Sequence, residues 1–144
     1  MSPWVTGVSR QAGIGFAVTR ELLAAGAKVL VQAWTPHDAD QVWGSDPAGM
    51  AGVLEALGGL DDRLAYVQAD FADPLKPAWM IEQAVERFGH VDVLVANHAR
   101  SSKQSLEQVT ATELDLAWEV NARGSVLLTQ AFATQHDDGH RYLG

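Results

Sequence analysis

The segment Thr6-Gly7-Val8-Ser9-Arg10-Gln11-Ala12-Gly13-Ile14-Gly15 lies between a short apolar stretch and a helical pattern. Its glycines let the backbone turn sharply and come close to a bound group with no Cβ in the way. A helix opening at Gly15 would direct unpaired N–H groups at the loop, which favours an anion. The chemistry this points to is a phosphate cradle. Arg10 within the loop adds a planar cation able to bond a phosphate at two points. Turn glycines without any ligand give similar spacings, so the weight rests on the order strand, loop, helix, strand.

Charge along the chain agrees with that placement. The 144 residues hold 10 Lys and Arg against 18 Asp and Glu, a net charge of -8. Residues 1–30 run the other way, with Arg10, Arg20 and Lys28 against Glu21 alone, so a small anion is favoured there. The acidic remainder argues against nucleic acid as a partner, since phosphate backbones need a concentrated basic surface. There is no cysteine, which removes disulfides, a thiolate nucleophile and Cys-ligated metals. No segment approaches ~20 consecutive apolar residues, and the N-terminus lacks a signal-peptide layout, so a cytoplasmic protein with no membrane partner is expected.

The elements that must position the loop follow from hydrophobic periodicity. Strands are expected over residues 4–6, 28–33, 64–68 and 91–96, the first starting after Pro3, which cannot donate to a ladder. Helices are expected over 15–25, 48–57 and from Asp73-Pro74 to Phe88, with Asp as cap and Pro at the first helical position. A fourth should run over 111–133, opened by a Thr110 and Glu113 capping box. Gly26, Gly58-Gly59 and Gly89 are the stops. Residues 34–46 read as a loop, long for a strand-to-helix connection and therefore a place for function. This alternation predicts an α/β protein, a Rossmann-type doubly wound parallel sheet of about four strands in the order 3-2-1-4 with helices on both faces. The domain would cover residues 1–133, and 134–144 would be a polar tail.

The glycine loop resembles that of the short-chain dehydrogenase/reductase family, Thr-Gly, three residues, Gly-x-Gly, here lengthened by two residues. Three further stretches carry the resemblance in the same order. Asp70-Phe71 looks like the family's adenine contact. Asn97-His98-Ala99 stands where Asn-Asn-Ala-Gly is usual, with His98 and Arg100 as departures. Asn121, in Val120-Asn121-Ala122-Arg123-Gly124, looks like the catalytic asparagine of the fourth helix. The resemblance implies a nicotinamide cofactor held by Thr6, Gly7, Ser9, Arg10, Gly13, Ile14, Gly15, Trp34, Asp70, Phe71, Asn97, His98 and Ala99. It also implies hydride transfer with a small-molecule carbonyl or alcohol, and leaves a homo-oligomer open. His98 reads equally well as a loop residue tolerated by solvent.

An NAD site places a carboxylate at the end of the second strand to bond the ribose 2′-hydroxyl. That end holds Ala33 and Trp34, so Arg10 as partner of a 2′-phosphate favours NADP(H), with Asp38 or Asp40 the alternative ribose partners. Trp34 would lie against the adenine or pack on the next helix. The family's proton-transfer pair, Tyr-x-x-x-Lys, is absent: Tyr66 is followed four residues later by Asp70, and no tyrosine precedes Lys28, Lys76 or Lys103 by four. The chain therefore reads as the nucleotide-binding front of a larger enzyme, the alternative being an inactive nucleotide-binding or subunit-pairing module. His136 and His140, with Asp137 and Asp138, have helical metal-ligand spacing, but Gly139 and the polar surroundings favour a solvated end, and no metal is expected. Ser101, Ser102 and Ser105 are read as loop serines beside the nicotinamide site, and Arg123 as a surface or interface residue and not a catalyst.

Overall fold

The computed structural model describes residues 1–135. Its elements are β1 (Pro3–Val5), α1 (Ile14–Ala24), β2 (Val29–Ala33), α2 (Thr35–Ala39), α3 (Gly49–Ala56), β3 (Leu64–Gln68), α4 (Lys76–Phe88), β4 (Val93–Val95), α5 (Ala111–Trp118) and α6 (Ser125–Thr134), with a π-helical turn, Glu119–Gly124, joining the last two. The strands form one parallel sheet in the order β3-β2-β1-β4, as the alternating pattern predicts. It is a Rossmann-type α/β sheet.

Side chains alternate across a strand, and here the alternation splits the core in two. Val29 and Val31 of β2 join Val5, Phe16, Val53 and Leu64 beneath α1 and α3. Leu30, between them, joins Trp4, Met80, Ile81 and Leu128 on the opposite face, beneath α4 and α6. A parallel strand covered on both faces must be apolar throughout, which makes Gln32 of β2, 2% exposed, conspicuous.

Several boundaries differ from the sequence expectation. Pro3 is inside β1, paired with Val93; as the first residue of the strand it needs no ladder donor. Asp73-Pro74 forms a turn rather than the helix start, with Asp73 Oδ1 accepting from the Leu75 amide at 2.9 Å. The helix begins at Lys76, which places Pro77 in the first turn; a start at Pro74 would have driven Pro77 into a position where its ring clashes and its missing N–H matters. The expected loop over residues 34–46 contains α2, with Pro36 in its first turn. The expected fourth helix is divided into α5 and α6 by the π turn. Thr110 Oγ1 caps α5 by accepting from the Glu113 amide at 3.1 Å, whereas the Glu113 carboxylate turns to Arg100 instead of completing the box. The histidines at 136 and 140 lie outside the described residues.

Candidate nucleotide cleft

The C-terminal ends of β1, β2 and β4 converge on a cleft of about 330 Å³. Of the residues expected to hold a cofactor, Gly7, Ser9, Arg10, Gly13, Ile14, Trp34, Asp70, Phe71, Asn97, His98 and Ala99 line it. Thr6 and Gly15, both buried, do not, and neither does Asn121, the expected catalytic residue, which is exposed.

Gly7 and Gly15 explain why the loop can close so tightly. Gly7 has φ +72°, and a Cβ there would lie 2.9 Å from the His98 Cα. A Cβ on Gly15 would meet the Gly7 carbonyl oxygen at 2.6 Å and Asn97 Nδ2 at 2.8 Å. The loop thus presses against the segment after β4, and Asn97 Nδ2 donates to the Thr6 and Gly7 carbonyls, each at 3.2 Å. No side chain caps α1, so its first-turn N–H groups stay open to an anion.

Thr6 is fully buried. Its hydroxyl accepts from the amides of Asn97 at 2.9 Å and His98 at 3.1 Å and lies 2.8 Å from His98 Nδ1. The other ring nitrogen, Nε2, lies 3.1 Å from the Val120 carbonyl and 3.3 Å from Ser125 Oγ. A carbonyl only accepts, so Nε2 carries the proton and Nδ1 accepts from Thr6. The ring also packs on Phe71, centroids 4.4 Å apart. His98 is therefore a cross-tie and not a solvated loop residue. Burial lowers its pKa, and the bond to Val120 opposes this only in part.

Asn121 clasps one residue of the cleft wall, its Oδ1 accepting from the Arg100 amide at 2.7 Å and its Nδ2 donating to the Arg100 carbonyl at 2.9 Å. Arg100 grips Glu113 with two bonds, Nε to Oε1 at 3.1 Å and an Nη to Oε2 at 2.8 Å. That fork holds the Glu113 carboxyl below the usual carboxylate range. Arg123 donates to the Ala72 carbonyl and pairs with Glu119 at 3.3 Å, binding the π turn to the segment after β3.

Two features escaped the sequence reading. Gln32 Oε1 accepts from the Gly7 amide at 3.0 Å and Nε2 donates to the Ala69 carbonyl at 2.6 Å; a lone amide in an apolar buried strand is the signal that marks it. The second is a strap formed by residues 35–46. His37 Nε2 donates to the Ser101 carbonyl at 3.0 Å, Trp43 Nε1 donates to Asp38 at 3.0 Å, and Asp46 accepts from the Gln11 amide at 2.8 Å. Amides of Gln11 and Ala48 lower the Asp46 pKa, with Arg10 adding to the effect. Of the loop serines, Ser101 alone lines the cleft.

The sequence profile described as short chain dehydrogenase matches residues 4–141. The chain belongs to this family. An uncharacterised oxidoreductase of Methylorubrum extorquens is 34% identical over 132 residues, covering 92% of this chain and 48% of the relative. A versicolorin reductase of Emericella nidulans is 29% identical, covering 96% and 48%. Among solved short-chain dehydrogenases, one from Burkholderia cenocepacia in complex with NADP is 34% identical with a TM-score of 0.70, covering 92% of this chain and 49% of its own. One from Serratia marcescens is 27% identical with a TM-score of 0.73, covering 92% and 49%. The chain spans about half the length of these short-chain dehydrogenase relatives. Among the described residues no helix is long and apolar enough to cross a membrane, and no group of three or more His, Asp or Glu is placed to hold a metal.

Proposed function

We propose that the cleft binds a nicotinamide adenine dinucleotide, with the 2′-phosphorylated form preferred, and that the chain is the nucleotide-binding part of an oxidoreductase acting on a carbonyl or alcohol. The observation that carries the preference is at the ribose end. Arg10 and Asp38 both line the cleft, but Asp38 Oδ1 is taken up by the Trp43 indole, and Asp40 is exposed and outside the lining. The NADP in the Burkholderia cenocepacia relative supports the same choice.

The residues present fit such a group. A glycine loop with no Cβ at 7, 13 or 15 and an uncapped α1 suit the diphosphate, Arg10 suits the 2′-phosphate, and Trp34, Asp70 and Phe71 suit the adenine. When bound, the nicotinamide ring gives or takes a hydride. Asn97 and His98 fix the floor beneath it through Thr6. Asn121 acts through the Arg100 backbone, as a positioning residue for the wall formed by residues 97–101. Ser9, Gly13, Ile14 and Ala99 supply backbone and contact surface.

Mixing the protein with NADPH and simple ketones tests both parts. Binding with turnover supports the oxidoreductase. Binding without turnover supports the second reading, a nucleotide-holding module. Gly13→Leu is expected to abolish binding, since even a Cβ there lies 3.0 Å from the Arg10 carbonyl; unchanged NADPH affinity in that variant would count against the assignment.

A further inference from the structure

The Arg10 guanidinium enters the cleft with no ion pair of its own among the described residues. It lies over the Trp43 ring, Cζ 5.9 Å from the centroid. Trp43 is itself fixed. Its Nε1 donates to Asp38, His37 meets it edge-on at 6.3 Å, and His37 is anchored to Ser101 across the cleft. On the other side Asp46 binds the amide next to Arg10. Trp43 belongs to none of the motifs that define the family resemblance.

We propose that Trp43 is a positioning residue that sets the choice between phosphorylated and unphosphorylated ribose, its ring holding Arg10 in the cleft to meet the 2′-phosphate of an adenine nucleotide. A guanidinium held near an aromatic ring by a cation–π contact still has N–H donors to offer a phosphate. Holding it there in advance removes rotamer freedom that binding would otherwise have to quench. The proposal rests on the nucleotide reading of the cleft.

Calorimetric titration with adenosine 2′,5′-bisphosphate and with AMP tests it without requiring a nicotinamide or turnover. Wild type should bind the bisphosphate more tightly. Trp43→Ala should weaken bisphosphate binding about tenfold and change AMP binding less than about twofold, while Trp43→Phe retains most of the preference. In an Arg10→Ala background, Trp43→Ala should cost nothing further, because the two act as a unit. If Trp43→Ala does not fold by circular dichroism, Trp43→Leu, which keeps apolar bulk but has no π face, should give the same selective loss. Equal loss for both ligands, or a full additional loss in the Arg10→Ala background, overturns the proposal. Wild type that binds both ligands equally overturns the role of Trp43 and leaves the nucleotide reading intact; wild type that binds neither overturns both.

Discussion

The Thr6 hydroxyl donates to His98 Nδ1 across 2.8 Å, joining the end of β1 to the segment after β4. Because Nε2 spends its proton on Val120, the ring is held neutral with both nitrogens engaged. A second proton on Nδ1 would point at a hydroxyl already accepting two amides.

This sets a direction for pH. Burial lowers the folded-state pKa of His98 from 6.5. Well above pH 6.5 folded and unfolded chains are both neutral at this residue and its contribution is complete. As pH falls below that value the unfolded chain takes up the proton first, so stability drops until the folded pKa is passed. His98→Asn should flatten this part of the profile, measured as urea midpoints across the acid range. An unaltered slope would show that His98 does not titrate as its surroundings require.

Gln32→Leu keeps the volume of the side chain and removes both of its bonds. The Gly7 amide and the Ala69 carbonyl are then left without partners, at a cost of about 2–4 kcal/mol. Chemical denaturation should report the loss, and the change in midpoint should be accompanied by weaker nucleotide binding, since the start of the glycine loop is released.

Gly15→Ala tests the contact between loop and wall. The new methyl group would have to displace the Gly7 carbonyl at 2.6 Å, a backbone shift costing about 1–3 kcal/mol. Ala17→Gly, on an exposed part of the same helix, should cost less than about 1 kcal/mol and leave NADPH titrations unchanged.

Asn121→Ala frees the Arg100 backbone, while Asn121→Asp keeps one acceptor and loses the donor. Stability should fall by about 1 kcal/mol in the alanine variant. Nucleotide affinity should fall several-fold in both, read by NADPH fluorescence. An affinity equal to wild type in both variants would separate Asn121 from the cleft altogether.

Sheet order and the glycine loop were legible because both are written in local patterns: apolar runs alternating with helical periods, and glycines between a strand and a helix. Asn97 and Asn121 were legible only through the family resemblance, since their partners lie 91 and 21 residues away. Gln32 looked like an interruption of an apolar strand because its bonds reach 25 and 37 residues along the chain. Residues 34–46 looked like open loop because their Asp, Trp and Pro content is that of a loop, whereas the strap is defined by what His37, Trp43 and Asp46 touch. The two prolines at 74 and 77 competed for the helix start, and only the later one leaves both rings outside the helix interior.

The π turn, Glu119–Gly124, holds more residues than an α turn of the same axial extent. A π turn commonly amounts to one inserted residue in an otherwise regular helix. Deleting Ala122 would therefore let 111–133 relax into an uninterrupted α-helix with Leu128 still facing the core. The fold would survive such a shortening, but the Val120 carbonyl and the Asn121 amide would rotate away from His98 and Arg100. Architecture and recognition would then part company at a single codon.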